Sequence, residues 1–198
     1  MIETARLKAI HSDRPTESHL TRRRFLTLGA FLAAGLVLPR SLYAVPGPDE
    51  TRERHLKFFN THTQERLEVC YRCDGQYKQD AIEAVNNILR DHRTNEVHPI
   101  DFRLLDLLHN IRTKAGQDSC LHIISGYRSP ATNKELRRKS RRVASKSLHM
   151  LGYAVDIRIP GVRTSKVRKI AMGLGQGGVG FYPKSDFVHV DIGRVRAW

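Results

Sequence analysis

The chain has 198 residues and a formal net charge of +14, from 34 Lys and Arg against 20 Asp and Glu. Its three cysteines cannot by themselves supply the four ligands of a zinc knuckle. Aromatic residues do not interleave with the basic ones as a platform for single-stranded nucleic acid requires, so nucleic acid is not an expected partner.

The first segment of the chain predicts export. Residues 21–27 read TRRRFLT, residues 28–38 are apolar, and residues 41–44 read SLYA. Paired arginines before a mild apolar run are typical of a twin-arginine signal, which predicts delivery to the periplasm by the twin-arginine translocase. We expect residues 1–44 to be this signal, with a disordered start and one isolated helix, and residues 45–198 to be a single domain. A retained N-terminal membrane anchor is the alternative, although the run is short for a span.

The domain itself predicts an α+β fold. Turn signals at residues 60–63 and 74–75 indicate a strand pair over residues 56–77. A further strand is expected over residues 121–125, and a glycine-rich turn at residues 175–180 leads into another. Helices are predicted over residues 79–91, after the N-cap Asp101, over residues 133–139 and over residues 165–174. Because helices gather early and antiparallel strands late, we expect helices packed on a small antiparallel sheet that carries the functional site.

Two late strands bring polar residues to one side of that sheet. Residues 153–159 and 187–192 alternate, with Val and Ile on one face and Asp156, His189 and Asp191 on the other. If the strands are neighbours, Asp156 and His189 project from the same side. Gly152 gives the chain freedom to fold His149 back over the sheet. The pattern therefore predicts that three side chains converge on one point.

The residue types at this point indicate a metal. Two imidazoles and one carboxylate, with a fourth position open, are the usual ligands of a hydrolytic zinc ion. One such residue in a strand is more often only hydrogen-bonded, but the joint pattern of His149, Asp156 and His189 favours a Zn²⁺ site. Asp186, three residues before His189, is predicted to reach the open position rather than the ion.

Several segments resemble a known family. Residues 147–156 read SLHMLGYAVD, residues 186–191 read DFVHVD and residues 124–130 read ISGYRSP. These resemble the zinc D-Ala-D-Ala peptidase/hedgehog-like superfamily. Residues 89–94, 97–101, 177–183 and 193–198 are similar to one branch of it, the exported murein endopeptidases. The resemblance covers about residues 55–198.

The resemblance implies roles by position. The zinc ligands are matched by His149, Asp156 and His189. Asp186 matches the general base, and Arg128 matches an arginine that faces substrate and steadies an oxyanion, with a surface ion pair as its alternative. Asp191 shares a strand face with His189 and is expected to orient it. Ser147 has either this orienting role or a turn or cap role.

The resemblance also implies a zinc-dependent endopeptidase that cuts cross-links between peptidoglycan stem peptides in cell-wall remodelling. It leaves open an L,D bond between two diaminopimelates or a D-Ala–diaminopimelate bond. The alternatives are a carboxypeptidase trimming D-Ala and a non-catalytic peptidoglycan-binding protein. We expect a monomer. The basic cluster within residues 134–146 is either a solvated face or a surface that captures the anionic wall polymer.

The cysteines are not expected to be catalytic. Cys70 and Cys73 are three residues apart, so a bridge between them would need a turn, and a redox role resting on this spacing alone is weak. A bridge that involves Cys120 stays open in an oxidising compartment.

Overall fold

A computed structural model describes residues 53–116, 118–140 and 143–198. The predicted export signal and its helix, together with Arg141 and Arg142 of the basic cluster, lie outside the described residues. No helix within the described ranges has the length and apolar character needed to cross a membrane.

The described residues contain one eight-stranded sheet in the order β3-β2-β1-β4-β5-β7-β6-β8. Its strands are β1 (Arg54–Asn60), β2 (Arg66–Cys73), β3 (Gln76–Tyr77), β4 (Leu121–Ser125), β5 (Ala154–Arg158), β6 (Gly178–Tyr182), β7 (Phe187–Asp191) and β8 (Arg196–Ala197). The β1–β4 and β6–β8 pairs are parallel, and the other pairs are antiparallel.

The α+β class is confirmed, but the prediction of a small antiparallel sheet is wrong. The predicted strand pair forms β1 and β2, and β1 then pairs in parallel with β4 through Phe58 and Leu121. At the other edge, β8 pairs in parallel with β6, so that Ala197 lies opposite Val179. Both additions join segments that are distant in sequence, which is why local alternation does not reveal them.

Four α-helices lie within the described residues: α1 (Gln79–Ile88), α2 (Phe102–Ala115), α3 (Pro130–Lys139) and α4 (Thr164–Leu174). The predicted N-cap is confirmed, because the Asp101 side chain accepts a hydrogen bond from the Arg103 amide. Helix α3 begins three residues earlier than predicted. Ser129 caps it by accepting from the Thr132 amide, and Pro130 suits the first helical position.

The core lies on one face of the sheet, against α1, α2 and α4. The strands contribute to it Leu56, Phe58, Ile123, Val155, Ile157, Val188 and Val190, all of which are buried. The alternation predicted for residues 153–159 and 187–192 is thereby confirmed. It leaves Asp156 and His189 on the opposite face of the two central strands β5 and β7.

A disulfide joins Cys70 and Cys73, both of which lie in β2, and Cys120 is a free, half-buried thiol. The turn at Asp74 and Gly75 follows the second cysteine and does not separate the two. The two Cα atoms are 6.1 Å apart, which is less than three extended residues span, and the β1–β2 register shifts at this point. A β-bulge thus takes the place of the turn that the sequence predicted.

Candidate metal centre

Three side chains converge on the polar face of β5 and β7. The Nε2 atom of His149 lies 3.2 Å from Nδ1 of His189 and 3.3 Å from Oδ1 of Asp156. The His189 Nδ1 atom lies 2.9 Å from the same Asp156 oxygen. His149 and Asp156 are buried, and His189 is nearly so. The structure thus brings together the three residues that the sequence predicts as ligands.

Strand register and one glycine produce this convergence. Asp156 and His189 are directly opposite each other in the antiparallel β5–β7 pair, which places their side chains on one face. His149 belongs to a short 3-10 helix, Leu148–Leu151, that ends at Gly152 in the left-handed conformation with φ of 68°. A side chain at Gly152 would collide with the carbonyl of Pro99, so glycine is required there.

Hydrogen bonds on the far side of each imidazole fix which nitrogen faces the cluster. His149 donates from Nδ1 to the Gly126 carbonyl at 2.8 Å, which leaves the Nε2 lone pair pointing inward. His189 donates from Nε2 to Asp191 at 3.0 Å, so in the neutral imidazole Nδ1 carries the lone pair that faces the cluster. Metal-binding histidines are commonly oriented by such carbonyl and carboxylate partners.

The spacing of the three atoms fits a zinc ion. Tetrahedral ligands at about 2.0–2.1 Å from a metal lie about 3.3 Å from one another. The observed separations of 2.9, 3.2 and 3.3 Å are close to this value. A second group of potential ligands, Glu53, His55 and Cys70, is less suited because the Cys70 sulfur is bonded to Cys73.

Electrostatics at the centre favour a positive charge between the carboxylates. Burial opposes ionisation of Asp156, but interactions with His149 and His189 outweigh it and lower the Asp156 pKa. Burial also disfavours the charged form of His189, and hydrogen bonds to Asp156 and Asp191 outweigh that effect and raise its pKa. A site that holds extra positive charge at this position is suited to a cation.

Asp191 is fully buried and supports His189 from behind. Its Oδ1 atom accepts hydrogen bonds from the amides of Gly178 at 3.0 Å and Gly193 at 2.8 Å. Its two oxygens also receive the guanidinium of Arg196 at 3.1 and 2.7 Å. Burial alone would raise the pKa of Asp191. The hydrogen bonds from His189, Arg196 and the two amides outweigh this effect and lower the pKa, so the carboxylate stays ionised.

Arg128 lies beside the cluster rather than in a surface ion pair. Its Nη2 atom is 3.9 Å from Asp156 Oδ2, and its amide donates to the His149 carbonyl at 3.2 Å. Long hydrogen bonds to Ser125 and Asn133, at 3.4 and 3.5 Å, are its other contacts, and its buried Nε has no partner among the described residues. Burial lowers the pKa of Arg128, and the negative charge of Asp156 partly offsets this effect. The guanidinium remains cationic at neutral pH.

The segment that carries Arg128 is held by residues that sequence reasoning missed. The buried Asp91 carboxylate accepts from the amides of Ser129 at 2.8 Å and Arg93 at 2.9 Å. Burial opposes ionisation of Asp91, but these bonds and one from Thr132 lower its pKa to about 2. The only sequence signal was that Asp91 belongs to residues 89–94, one of the segments with a family resemblance but no assigned role.

An open cavity of about 550 Å³ lies over the cluster. Besides the three candidate ligands, its lining includes Arg128, Lys146, Ser147, Tyr182, Phe187, Arg196 and Trp198. Ser147 is buried and makes no capping hydrogen bond to the 3-10 helix that follows it. A cavity of this size accommodates part of a peptide. Another cavity, of about 420 Å³ near His55 and His109, contains none of the predicted site residues.

Asp186 does not line the cavity over the three candidate ligands. It has a left-handed backbone, with φ of 50°, after a short 3-10 segment. Its exposed carboxylate accepts a hydrogen bond from the Thr164 hydroxyl and lies 3.7 Å from Nη1 of Arg158. The residues on either side of it, Ser185 and Phe187, do line the cavity. The carboxylate thus lies next to the cavity wall but faces other partners.

An α+β fold that holds two imidazoles, a carboxylate and a largely shielded arginine in an open cavity defines a metallopeptidase type of site. The chain belongs to the family described as peptidoglycan L,D-endopeptidase MepK, whose model matches residues 49–198.

Curated relatives cover nearly the whole chain. Peptidoglycan L,D-endopeptidase MepK of Escherichia coli strain K12 is 39% identical over 177 residues, which are 89% of this chain and 96% of that protein. The probable peptidoglycan L,D-endopeptidase MepK of Haemophilus influenzae is 39% identical over 178 residues, with 89% and 95% covered. No solved structure matches the chain significantly.

Proposed function

We propose that this protein is a zinc-dependent peptidoglycan endopeptidase that hydrolyses peptide cross-links between stem peptides in cell-wall remodelling. The observation that carries the proposal is the convergence of three ligand atoms, 2.9–3.3 Å apart, in an open cavity beside Arg128. The relatives are named L,D-endopeptidases, which favours a bond between an L-centre carbonyl and a D-centre amine, as between two diaminopimelates.

The metal would be held by His149 Nε2, His189 Nδ1 and Asp156 Oδ1. A bound zinc ion supplies Lewis-acid chemistry, because it polarises a carbonyl and makes water more acidic. The protein's own contribution is orientation, since Gly126 and Asp191 hold the two imidazoles with their free lone pairs inward.

Arg128 is proposed to act on the scissile carbonyl. Its guanidinium lines the cavity, is largely shielded from solvent and, among the described residues, makes only long hydrogen bonds. Donors that are not committed to strong partners can turn to an oxygen that gains negative charge during hydrolysis. The neighbouring carboxylate of Asp156 keeps this cation in place without neutralising it through a close bidentate pair.

Asp186 is proposed as the general base. It would take a proton from the attacking water and pass it to the leaving amine, so that the cross-link ends as a carboxylate and an amine. This role requires the carboxylate to leave Thr164 and Arg158 and turn toward the cavity. Apo geometry is often looser than that of a substrate complex, and Asp186 is exposed enough to rotate.

Capture of the polymer is proposed to involve α3. Lys134, Arg137, Arg138 and Lys139 are exposed on this helix, which follows the Arg128 segment directly. Peptidoglycan stem peptides carry carboxylates, so a basic surface near the cavity would raise their local concentration. Salt should weaken this effect because the side chains are open to solvent.

The test is digestion of purified muropeptides followed by mass spectrometry. We expect the zinc-loaded protein to split a diaminopimelate-linked dimer into two monomers, with net addition of one water. A His189→Ala variant should lose both zinc uptake and cleavage, whereas Val195→Ala, at an exposed position outside the cavity, should retain both. Cleavage only of D-Ala–diaminopimelate dimers would reassign the bond. Release of terminal D-Ala alone would indicate a carboxypeptidase, and binding without any cleavage would indicate a wall-binding protein.

A further inference from the structure

Trp198, the one tryptophan of the sequence, forms part of the cavity wall. Its indole centroid lies 5.3 Å from the ring centroid of His189, and its Nε1 donates a hydrogen bond to the Tyr182 hydroxyl at 3.0 Å. The residue is nevertheless 47% exposed. A large apolar surface is therefore presented to solvent within reach of the candidate metal ligands.

Several contacts hold the indole in this position. Gly180 lies opposite His189 in the β6–β7 pair, and a Cβ atom there would be 2.8 Å from Cε2 of Trp198. The absence of a side chain at Gly180 thus lets the indole lie against the strand. The backbone of Trp198 pairs with β6, donating to Val179 at 3.2 Å and accepting from Phe181 at 2.9 Å.

The cavity lining around the indole combines aromatic and cationic groups. Tyr182 and Phe187 stack with centroids 4.5 Å apart and line the cavity together with Trp198. Arg128 lines the same cavity, and the guanidinium of Arg196 lies over the indole, 4.8 Å from its centroid. A rigid aromatic face binds C–H groups at low entropic cost, whereas a guanidinium binds oxygen. A ligand that satisfies both has an aliphatic chain attached to a carbonyl or carboxylate.

We propose that Trp198 contacts substrate, packing its indole against the aliphatic side chain of a stem-peptide residue next to the bond that is cleaved. It is therefore a specificity-determining residue. The identity of the peptide rests on the proposed function, but the contact itself rests on the position of Trp198. A diaminopimelate residue has the required methylene chain and terminal polar groups.

The single tryptophan makes the contact directly observable. A diaminopimelate-linked muropeptide dimer is titrated into zinc-loaded Asp186→Ala protein, and indole emission is recorded beside calorimetric heat. We expect a saturable change in emission with the same dissociation constant as the heat. As a control, combining Trp198→Phe with Phe102→Trp moves the indole to an exposed site outside the cavity lining. The emission of this variant should not change when the ligand is added.

Kinetics provide the second measurement. Trp198→Ala should raise KM by about tenfold or more with unchanged zinc content, because an apolar contact of this size discriminates at least that strongly. Trp198→Phe should recover most of the loss, and Gly180→Ala, which displaces the indole, should resemble Trp198→Ala. Heat without a change in emission, or an unaltered KM in Trp198→Ala, would overturn the contact while leaving the proposed function intact. Absence of both heat and wild-type cleavage would instead reject the proposed function and the contact with it.

Discussion

Replacing Asp191 by Asn tests how strongly the candidate metal centre depends on the carboxylate that orients His189. The Oδ2 atom of Asp191 accepts from His189 and Arg196, and its Oδ1 atom accepts from Gly178, Gly193 and Arg196. Asparagine offers one carbonyl oxygen and one NH₂ group, which is itself a donor. Whichever way the amide turns, at least two of these donors face the NH₂ group and lose their acceptor.

The size of the effect follows from these contacts. Each hydrogen bond to a charged group contributes about 1.5–3 kcal/mol, so two lost bonds cost about 3–6 kcal/mol. This is a large part of the roughly 5–15 kcal/mol that stabilises an ordinary domain. Because His189 also loses the carboxylate that orients it, zinc affinity should fall by about 10–100-fold.

Two assays separate the effects. Denaturant unfolding of the zinc-free protein measures the loss of stability, and competition with a chelator measures the loss of zinc affinity. Asp118→Asn makes the same chemical change at an exposed position and should behave as wild type. An Asp191→Asn protein with wild-type unfolding midpoint and wild-type zinc affinity would refute the argument that this carboxylate supports the centre.

Three other predictions address separate features. Asp186→Ala should retain zinc and lose about 10²–10⁴-fold in turnover, since it removes only a general base. Wild-type turnover in this variant would place the base elsewhere. Loss of zinc would make Asp186 a ligand or a structural residue. The folded-state pKa of Asp91 is lowered to about 2 from an ordinary 3.8, so its ionised form should contribute stability that is complete above pH 3.8 and disappears as the pH falls toward 2. Urea unfolding across this range should show a steeper loss for wild type than for Asp91→Asn, and parallel curves would contradict the assignment. Finally, an Arg22→Lys, Arg23→Lys double variant should accumulate as active protein in the cytoplasm on cell fractionation, whereas unchanged periplasmic delivery would mean that another route exports it.

Local patterns were sufficient for the central strands but not for the whole sheet. Alternation over residues 153–159 and 187–192 is a property of neighbouring residues, so it predicted β5, β7 and the faces of Asp156 and His189. The parallel pairing of β1 with β4 joins strands that are separated along the chain by β2, β3 and two helices. No pattern within either strand specifies its partner, and the sheet was therefore expected to be smaller and wholly antiparallel.

The candidate site shows the same difference between local patterns, which could be read from the sequence, and contacts between distant segments, which could not. The convergence of His149 with the two strand residues could be anticipated because Gly152 marks the turn between them. The partners of Asp191 could not, since Arg196 belongs to β8, whose pairing with β6 no local pattern reveals. Asp186 shows the limit of an inference from position alone, because its sequence spacing does not determine which way its carboxylate points.

The reciprocal hydrogen bonds between the Arg128 segment and His149 have a consequence for engineering the protein. His149 donates to the Gly126 carbonyl, and the Arg128 amide donates back to the His149 carbonyl. These two bonds hold the segments in a fixed relative position, although about twenty residues of chain separate them. A graft of this centre onto another scaffold would have to transplant both segments together, and an insertion in either would misalign the metal ligand and the arginine at once.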